Sequence, residues 1–367
     1  AVEPAPRGAA TSPVVAVEHD SPSSSAALLR IVDAAANRAG EGLRVVEDVV
    51  RFALDDAHLT NVCKQIRHEL ASALAPLPLA DRLRARETTC DVGIAVDSPD
   101  EYARRDLAQV LAANFVRVEQ ALRSLEEVLK VALPGAVRAV EQLRYRTYTL
   151  QRVAEITRAA STKLVEAAVY VLLDGRDSQG QFREMAQAIV AAGAAVVQLR
   201  DKRLSDAELL ARGRVLRDVT RGTPTLFIMN DRPDLAVLAD ADGVHVGQDE
   251  LSVHDVRKII GPERLVGVST HNIEQARAAV LAGADYLGVG PTFASTTKTF
   301  ETLAGLEFVR AVAAEIRLPA FAIGGITPDN VGQVVAAGLR RVAVGAAVIE
   351  SPVPAAVIQE LTSRLRP

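Results

Sequence analysis

The stretch Gln198-Leu199-Arg200-Asp201-Lys202 follows the apolar run Ala194-Ala195-Val196-Val197, so a buried strand ends in a charged tip. Side chains alternate along an extended strand, which puts Gln198, Arg200 and Lys202 on one face. One amide and two cations aimed at a common point suit a diphosphate. The next apolar run, Thr225-Leu226-Phe227-Ile228-Met229, ends in Asn230-Asp231. A carboxylate beside two cations implies a bridging divalent metal, and two neighbouring strand ends thus suggest a metal-diphosphate site.

Further polar tips follow later apolar runs: Gly247-Gln248-Asp249-Glu250, Ser269-Thr270-His271, and Gly290-Pro291-Thr292-Phe293-Ala294-Ser295-Thr296-Thr297-Lys298. The last two runs end in Gly324-Gly325 and Gly345-Ala346, where bare backbone N–H groups can approach phosphate oxygens closely. Each tip alone has a plain structural explanation. Gln198 to Lys202 could be a solvated loop with a surface ion pair, and Asp231 before Arg232-Pro233 could cap a helix. The glycine pairs could be tight turns, and His271 an ordinary loop histidine. His245 lies inside a strand and reads as packed. The recurrence of polar groups at successive strand ends is what favours a shared site.

The elements that must position these tips are short Val/Ile-rich runs alternating with helical stretches from about residue 165, a pattern of βαβ units and a parallel sheet. Eight runs are legible: Ala167–Leu173, Ala195–Leu199, Thr225–Met229, Gly243–Val246, Val266–Val268, Tyr286–Gly290, Ala320–Ile323 and Arg341–Val344. They predict a (β/α)8 barrel over 165–367, with its site at the carboxyl ends of the strands. A doubly wound open sheet is the alternative, but no Gly-rich dinucleotide turn follows the first run.

Residues 1–25, rich in Ala, Pro and Ser, predict a disordered tail. Residues 26–160 predict an all-α domain opening at Ser25 as N-cap, with Ala39, Leu43, Val46, Val50 and Ala53 on one helical face. Asn37, Glu41, Arg44, Asp48 and Arg51 run along another. Arg38, Arg44, Glu47 and Asp48 recur as Arg117, Arg123, Glu126 and Glu127 at a constant offset of 79, which suggests two similar helices. Further helices are expected near 58–75, 99–113 and 136–160, with 86–98 an irregular loop.

The 367 residues favour two domains. A net charge of -4 with 49% hydrophobic residues argues against a nucleic-acid surface. Cys63 and Cys90 are too few for a disulfide framework and read as reduced thiols. No apolar stretch reaches membrane-spanning length, so the expectation is a cytoplasmic protein without a membrane partner, from which a short leader could have been removed. Composition leaves a homo-oligomer open.

In order, Val196 to Lys202, Asn230-Asp231, Gly243-Val244-His245-Val246-Gly247-Gln248, Val268-Ser269-Thr270-His271, Gly290-Pro291 with the Ser/Thr-rich Lys298 loop, and Ile323-Gly324-Gly325-Ile326 resemble thiamine-phosphate synthases. The resemblance implies condensation of a pyrimidine methyl diphosphate with a thiazole phosphate, releasing pyrophosphate. It assigns Gln198, Arg200, Lys202, Asn230, Ser269 and Lys298 to the pyrimidine diphosphate, within the binding stretches Gln198-Leu199-Arg200-Asp201-Lys202 and Ser295-Thr296-Thr297-Lys298. Asp231 and Glu250 would hold one Mg2+ per barrel. Ser295, Thr297, Gly325, Gly345 and Ala346 would hold the thiazole phosphate. Arg200, Lys202, Lys298 and Ser269 would carry catalysis by stabilising the departing pyrophosphate, which needs charge and no nucleophile. Three departures from the family pattern stand out. Glu250, preceded by Asp249, replaces a usual Asp; Ser295 replaces a usual Thr; Gly345-Ala346 replaces a pair ending in Ser. The competing readings are a thiazole tautomerase, to which Gln198, Arg200, Lys202 and Asp231 would be superfluous, and a non-catalytic phosphate-binding barrel.

Residues 28–150, through Asp33 to Asp48 and Ala113 to Glu119, resemble the helical domain fused ahead of some bacterial thiamine-phosphate synthases. That family is regarded as a hydroxymethylpyrimidine phosphate kinase, which implies ATP as co-substrate and Asn37, Arg38, Glu41, Arg44, Asp48, Arg51 and Arg117 around phosphates and a metal. No P-loop or protein-kinase signature accompanies it. An ion-pair network, a solvated face, or a dimerisation or docking module are the other readings.

Overall fold

The computed structural model describes residues 22–87, 103–294 and 303–366. Its first part is helical: α1 (Pro22–Phe52), α2 (Ala57–Ala73), α3 (Leu79–Ala85), α4 (Leu107–Ala132), a 3-10 turn at Pro134–Ala136, and α5 (Val137–Lys163). α1 starts at Pro22, inside the segment expected to be a disordered tail. The helix expected over 99–113 is also revised. Asp106 caps α4 by accepting from Gln109 N at 2.9 Å, and α4 continues without a break through the second copy of the repeat. α3 had no sequence signal.

The repeat has a structural meaning. α1 packs chiefly on α4, and Leu43, Val46, Val50, Leu122, Leu125 and Leu129 are fully buried between the helices. The axes come close at Gly42, where an added Cβ would lie 2.7 Å from Val118 Cγ2 and 3.3 Å from the Asn114 carbonyl oxygen. The matching acids Glu47 and Glu126 are both buried, and each binds an arginine of the next long helix. Arg67 Nε donates to Glu47 at 3.3 Å, and Arg144 Nε to Glu126 at 2.9 Å. The pairs α1/α2 and α4/α5 are thus built on the same buried ion pair.

The remainder is a closed, all-parallel eight-stranded barrel: β1 (Val169–Leu173), β2 (Val196–Leu199), β3 (Leu226–Asn230), β4 (Gly243–Val246), β5 (Leu265–Thr270), β6 (Tyr286–Val289), β7 (Ala320–Ile323) and β8 (Val342–Val344), with β8 paired to β1. Around it lie α6 (Gln179–Ala191), α7 (Asp206–Thr220), α8 (Pro233–Leu238), α9 (Val253–Ile260), α10 (Ile273–Ala282), α11 (Gly305–Glu315), α12 (Val331–Ala336), α13 (Ala346–Ile349) and α14 (Pro354–Leu365). The expected (β/α)8 barrel behind an all-α part is what the chain forms, and every expected strand is present. Side-chain alternation divides the apolar residues. One set packs under the helices, while Tyr170, Val196, Ile228, Leu265, Tyr286 and Phe321 fill the barrel interior.

α5 delivers the chain to the amino end of the barrel, where Leu164 is buried with the interior set and its carbonyl accepts from Arg341. The helices dock on that same end. Asp56 caps α2 through Leu59 N at 2.8 Å and also accepts from Arg317 N at 2.8 Å, three residues before β7. Asp55 binds the Arg317 guanidinium at 2.5 Å, and Arg152 donates to the carbonyls of Leu281 and Ala282 at the end of α10. No described helix is long and apolar enough to cross a membrane.

Candidate active site

At the opposite end, the carboxyl ends of the strands surround a cavity of about 1030 Å³. Gln198, Arg200, Lys202, Asn230, Asp231, Glu250, Ser269, Gly325, Gly345 and Ala346 all border it. Residues far apart in sequence meet there because the barrel brings every strand end to one mouth. Ser295, Thr296, Thr297 and Lys298 lie outside the described residues.

Alternation along β2 separates its tip into two groups. Gln198, Arg200 and Lys202 face the cavity, whereas Leu199 is fully buried in the helix-facing core. Asp201 also turns away: it accepts from Gly175 N at 3.0 Å and Arg203 N at 2.7 Å, and pairs with the Arg203 guanidinium at 2.8 Å. Those bonds, Arg203 foremost, hold its carboxyl at about 2. The side chains of Leu199 and Asp201, expected in the binding stretch, thus point away from the cavity: one packs the fold, and the other ties the loops after β1 and β2 together.

Asp231 adopts a left-handed backbone, φ 57°, a costly conformation for a residue other than glycine. Its amide donates to the His245 carbonyl at 2.8 Å, which fixes the turn. Asn230 Nδ2 donates to the Asp231 carboxylate at 2.6 Å, and Lys202 Nζ lies 3.8 Å from it. Burial raises the Asp231 pKa, and the neighbouring Glu250 charge raises it further. Glu250 folds its carboxylate over Gly247. Two oxygen-donor acids that repel one another beside a diphosphate-sized cavity fit a hard divalent cation, which is commonly held by one or two carboxylates plus substrate phosphates. Among the described residues no cluster of three or more His, Cys, Asp or Glu is placed to hold a metal. Asp249 borders the same cavity, but Glu250 is the acid whose charge acts on Asp231.

At β7 the chain turns through Gly324 and Gly325, with φ 99° and 62°. Asn330 Nδ2 donates to the Gly325 carbonyl at 2.8 Å, and Phe293 N to the Gly324 carbonyl at 3.0 Å, which holds this turn against the loop after β6. His271 Nδ1 donates to the Gly290 carbonyl at 2.6 Å.

His245, read from sequence as merely packed, lies on the cavity floor. Its ring contacts Ser269 Oγ at 2.9 Å and Tyr286 OH at 3.3 Å. Tyr286 OH meets Tyr170 OH at 3.1 Å, and Gln198 Nε2 donates to Tyr170 OH at 2.8 Å. Sequence reading missed both tyrosines. The available signal was a phenol at an inward-facing position of β1 and of β6, where an apolar residue would suffice to fill the barrel.

In the helical part, Asn37, Arg38, Glu41, Arg44, Asp48, Arg51 and Arg117 are all exposed. Among the described residues no salt bridge engages Arg38, Arg44, Arg51 or Arg117. The buried acids do the pairing instead: Asp33 with Arg86 at 2.7 and 3.1 Å, Glu47 with Arg67, and Glu126 with Arg123 and Arg144. Asn37 leans on Asp33 at 3.4 Å. Cys63 is buried, which pushes its thiol up to about 12 and makes it unreactive; Cys90 lies outside the described residues.

The chain is a (β/α)8 barrel protein whose strand-end mouth, where such barrels place their active sites, combines cations, paired acids and glycine turns. The thiamine monophosphate synthase family matches residues 169–348, and the ThiD2 family matches residues 30–153. A thiamine-phosphate synthase of Rhodopirellula baltica is 44% identical over 329 residues, 87% of this chain and 88% of the other. One of Synechocystis sp. is 39% identical over 342 residues, covering 93% and 97%. A solved thiamine phosphate pyrophosphorylase from Pyrococcus furiosus is 30% identical, covers 55% of this chain and 96% of its own, and superposes with a TM-score of 0.48. The chain belongs to the thiamine-phosphate synthases, transferases of thiamine biosynthesis, with a ThiD2-family region ahead of the barrel.

Proposed function

We propose that the barrel, residues 165–367, joins 4-amino-2-methyl-5-(diphosphooxymethyl)pyrimidine to 4-methyl-5-(2-phosphooxyethyl)thiazole, giving thiamine phosphate and pyrophosphate. The observation that carries this reading is the convergence of Gln198, Arg200, Lys202, Asn230, Asp231 and Glu250 on one cavity. Arg200 and Lys202 would bind the diphosphate and lower the energy of the charge that develops as it leaves. Asp231 and Glu250 would hold Mg2+, which when bound supplies further positive charge to the leaving group. Ser269 and Gln198 would align the pyrimidine ring. Backbone N–H groups near Gly325, Gly345 and Ala346 would place the thiazole phosphate, so that the ring nitrogen waits beside the carbon losing diphosphate. A tautomerase has no use for the paired acids and cations.

The helical region, residues 26–160, is proposed to make that diphosphate by ATP-dependent phosphorylation of the pyrimidine monophosphate. The ThiD2 match and the exposed arginines Arg38, Arg44, Arg51 and Arg117, which form no salt bridge among the described residues, support it. These helices sit at the amino end of a filled barrel, and the cavity opens at the carboxyl end. The diphosphate would therefore travel through solvent. The test supplies full-length protein with pyrimidine monophosphate, thiazole phosphate, ATP and Mg2+, and follows thiamine phosphate. Product that vanishes without ATP and returns when diphosphate is supplied supports both activities. Product from supplied diphosphate alone, with none from monophosphate and ATP, would reduce the helices to a docking module.

A further inference from the structure

We infer that Gln198, Tyr170, Tyr286, His245 and Ser269 form one directed hydrogen-bond chain under the cavity, which fixes the Ser269 hydroxyl as a donor and makes Tyr170, Tyr286 and His245 positioning residues for the pyrimidine ring. The inference rests on the reading that Ser269 faces that ring.

The direction follows from the orientation of the Gln198 amide. Gln198 Nε2 has only hydrogens to offer, and it donates to Tyr170 OH at 2.8 Å. A phenol has one hydrogen, and Tyr170 OH meets Tyr286 OH at 3.1 Å. If Tyr286 donated to Tyr170, the Tyr170 hydrogen would be left without an acceptor among the described residues, on a side chain only 2% exposed. An orphaned buried donor is costly, so Tyr170 donates to Tyr286. Tyr286 then donates to His245 Nδ1 at 3.3 Å, leaving Nε2–H to donate to Ser269 Oγ at 2.9 Å. The Ser269 hydrogen is the end of the line and turns to the cavity.

The chain is held by packing as well as by its bonds. Phe321 meets Tyr170 and Tyr286 edge to face, with centroids 5.3 and 5.7 Å apart, and the two tyrosine rings are tilted against each other at 5.9 Å. The Tyr286 ring lies over Gly267, where an added Cβ would meet Cζ at 2.1 Å. His245 tilts over Tyr286 at 5.5 Å.

The consequence is chemical selectivity. A 4-aminopyrimidine presents a ring nitrogen acceptor beside an amino donor. Ser269, obliged to donate, matches the ring nitrogen; Gln198, whose Nε2 is committed to Tyr170, keeps Oε1 to accept from the amino group. A neutral hydroxyl aligns the ring without protonating it, which preserves the electron release that lets diphosphate depart.

The test begins with full-length protein carrying 15N-histidine. Long-range proton–nitrogen correlation at neutral pH is expected to show His245 as the Nε2–H tautomer, and Tyr286→Phe is expected to yield mixed tautomers. The same variant should lose about tenfold in kcat/KM for the pyrimidine diphosphate, and no more than twofold for an analogue with CH in place of the ring nitrogen acceptor. An Nδ1–H tautomer in the unmodified protein overturns the chain, as does a Tyr286→Phe variant with unchanged tautomer and rate. An equal loss on both substrates overturns the Ser269 contact on which the inference rests.

Discussion

Asp56 and Arg317, 261 positions apart, are joined by a bond that serves two structures at once. One Asp56 oxygen caps α2 through Leu59 N, and the other accepts the Arg317 amide entering β7, each at 2.8 Å. Asp56 is almost completely buried, and that burial raises its pKa. Asp56→Ala should remove a cap worth about 1 kcal/mol and strand a buried N–H worth about 1–3 kcal/mol. Denaturant unfolding is expected to show a combined loss of about 2–4 kcal/mol, and Asp56→Ser, which keeps the cap alone, a smaller one. Equal stability of the alanine variant would dismiss the joint.

The α1–α4 crossing makes a second, local prediction. Gly42→Ala forces a Cβ toward Val118 Cγ2, an overpacking that typically costs about 1–3 kcal/mol. Combining it with Val118→Ala should recover part of that loss. A double-mutant cycle with no coupling would show that the helices are not in contact at this point.

Buried and exposed charges in the helical region should separate cleanly. Glu126→Ala removes the carboxylate from Arg144, 12% exposed, which keeps only Tyr148 OH at 3.1 Å; breaking a buried pair costs about 3–5 kcal/mol, and the loss is expected at the lower end of that range. Arg44→Ala, on the exposed stripe, should change stability by less than about 0.5 kcal/mol while lowering ATP-dependent turnover of the pyrimidine monophosphate. Thermal melts and a coupled nucleotide assay measure the two.

Burial, with Arg200 nearby, holds the His245 imidazole at about 4, against an ordinary 6.5. The folded state thus resists a proton that the unfolded chain accepts. The contribution of His245 to stability is complete above about pH 6.5 and is lost as pH falls toward 4, about 2 kcal/mol of it between pH 7.5 and pH 5. His245→Gln should flatten that part of the stability profile, which a denaturation series across pH would show.

Much of this arrangement was legible in the residues. Short Val/Ile runs have few alternatives once they recur with helices between them, so β4 and β7 were located to the residue. The polar tips were legible because strand ends in a barrel must converge. Alternation also foretold which β2 side chains face the mouth, but not the partners of Asp201, because Gly175 and Arg203 are chosen by tertiary contact. The Tyr170, Tyr286 and His245 chain was invisible for the same reason: a phenol on an inward face reads as core until its neighbours are known. In the helical region the 79-residue offset relates Glu47 to Glu126, and these buried acids, rather than the exposed stripe, tie the long helices together.

The central claim is that the carboxyl-end cavity is a metal-assisted clamp for a departing diphosphate. It is tested by supplying full-length protein with the pyrimidine diphosphate and thiazole phosphate, and measuring pyrophosphate release with and without Mg2+ for the unmodified chain and Asp231→Asn. Mg2+-dependent release matched by thiamine phosphate, with at least a hundredfold lower rate in Asp231→Asn, is the predicted result. Release by the variant at close to the unmodified rate, with the same Mg2+ dependence, would contradict it.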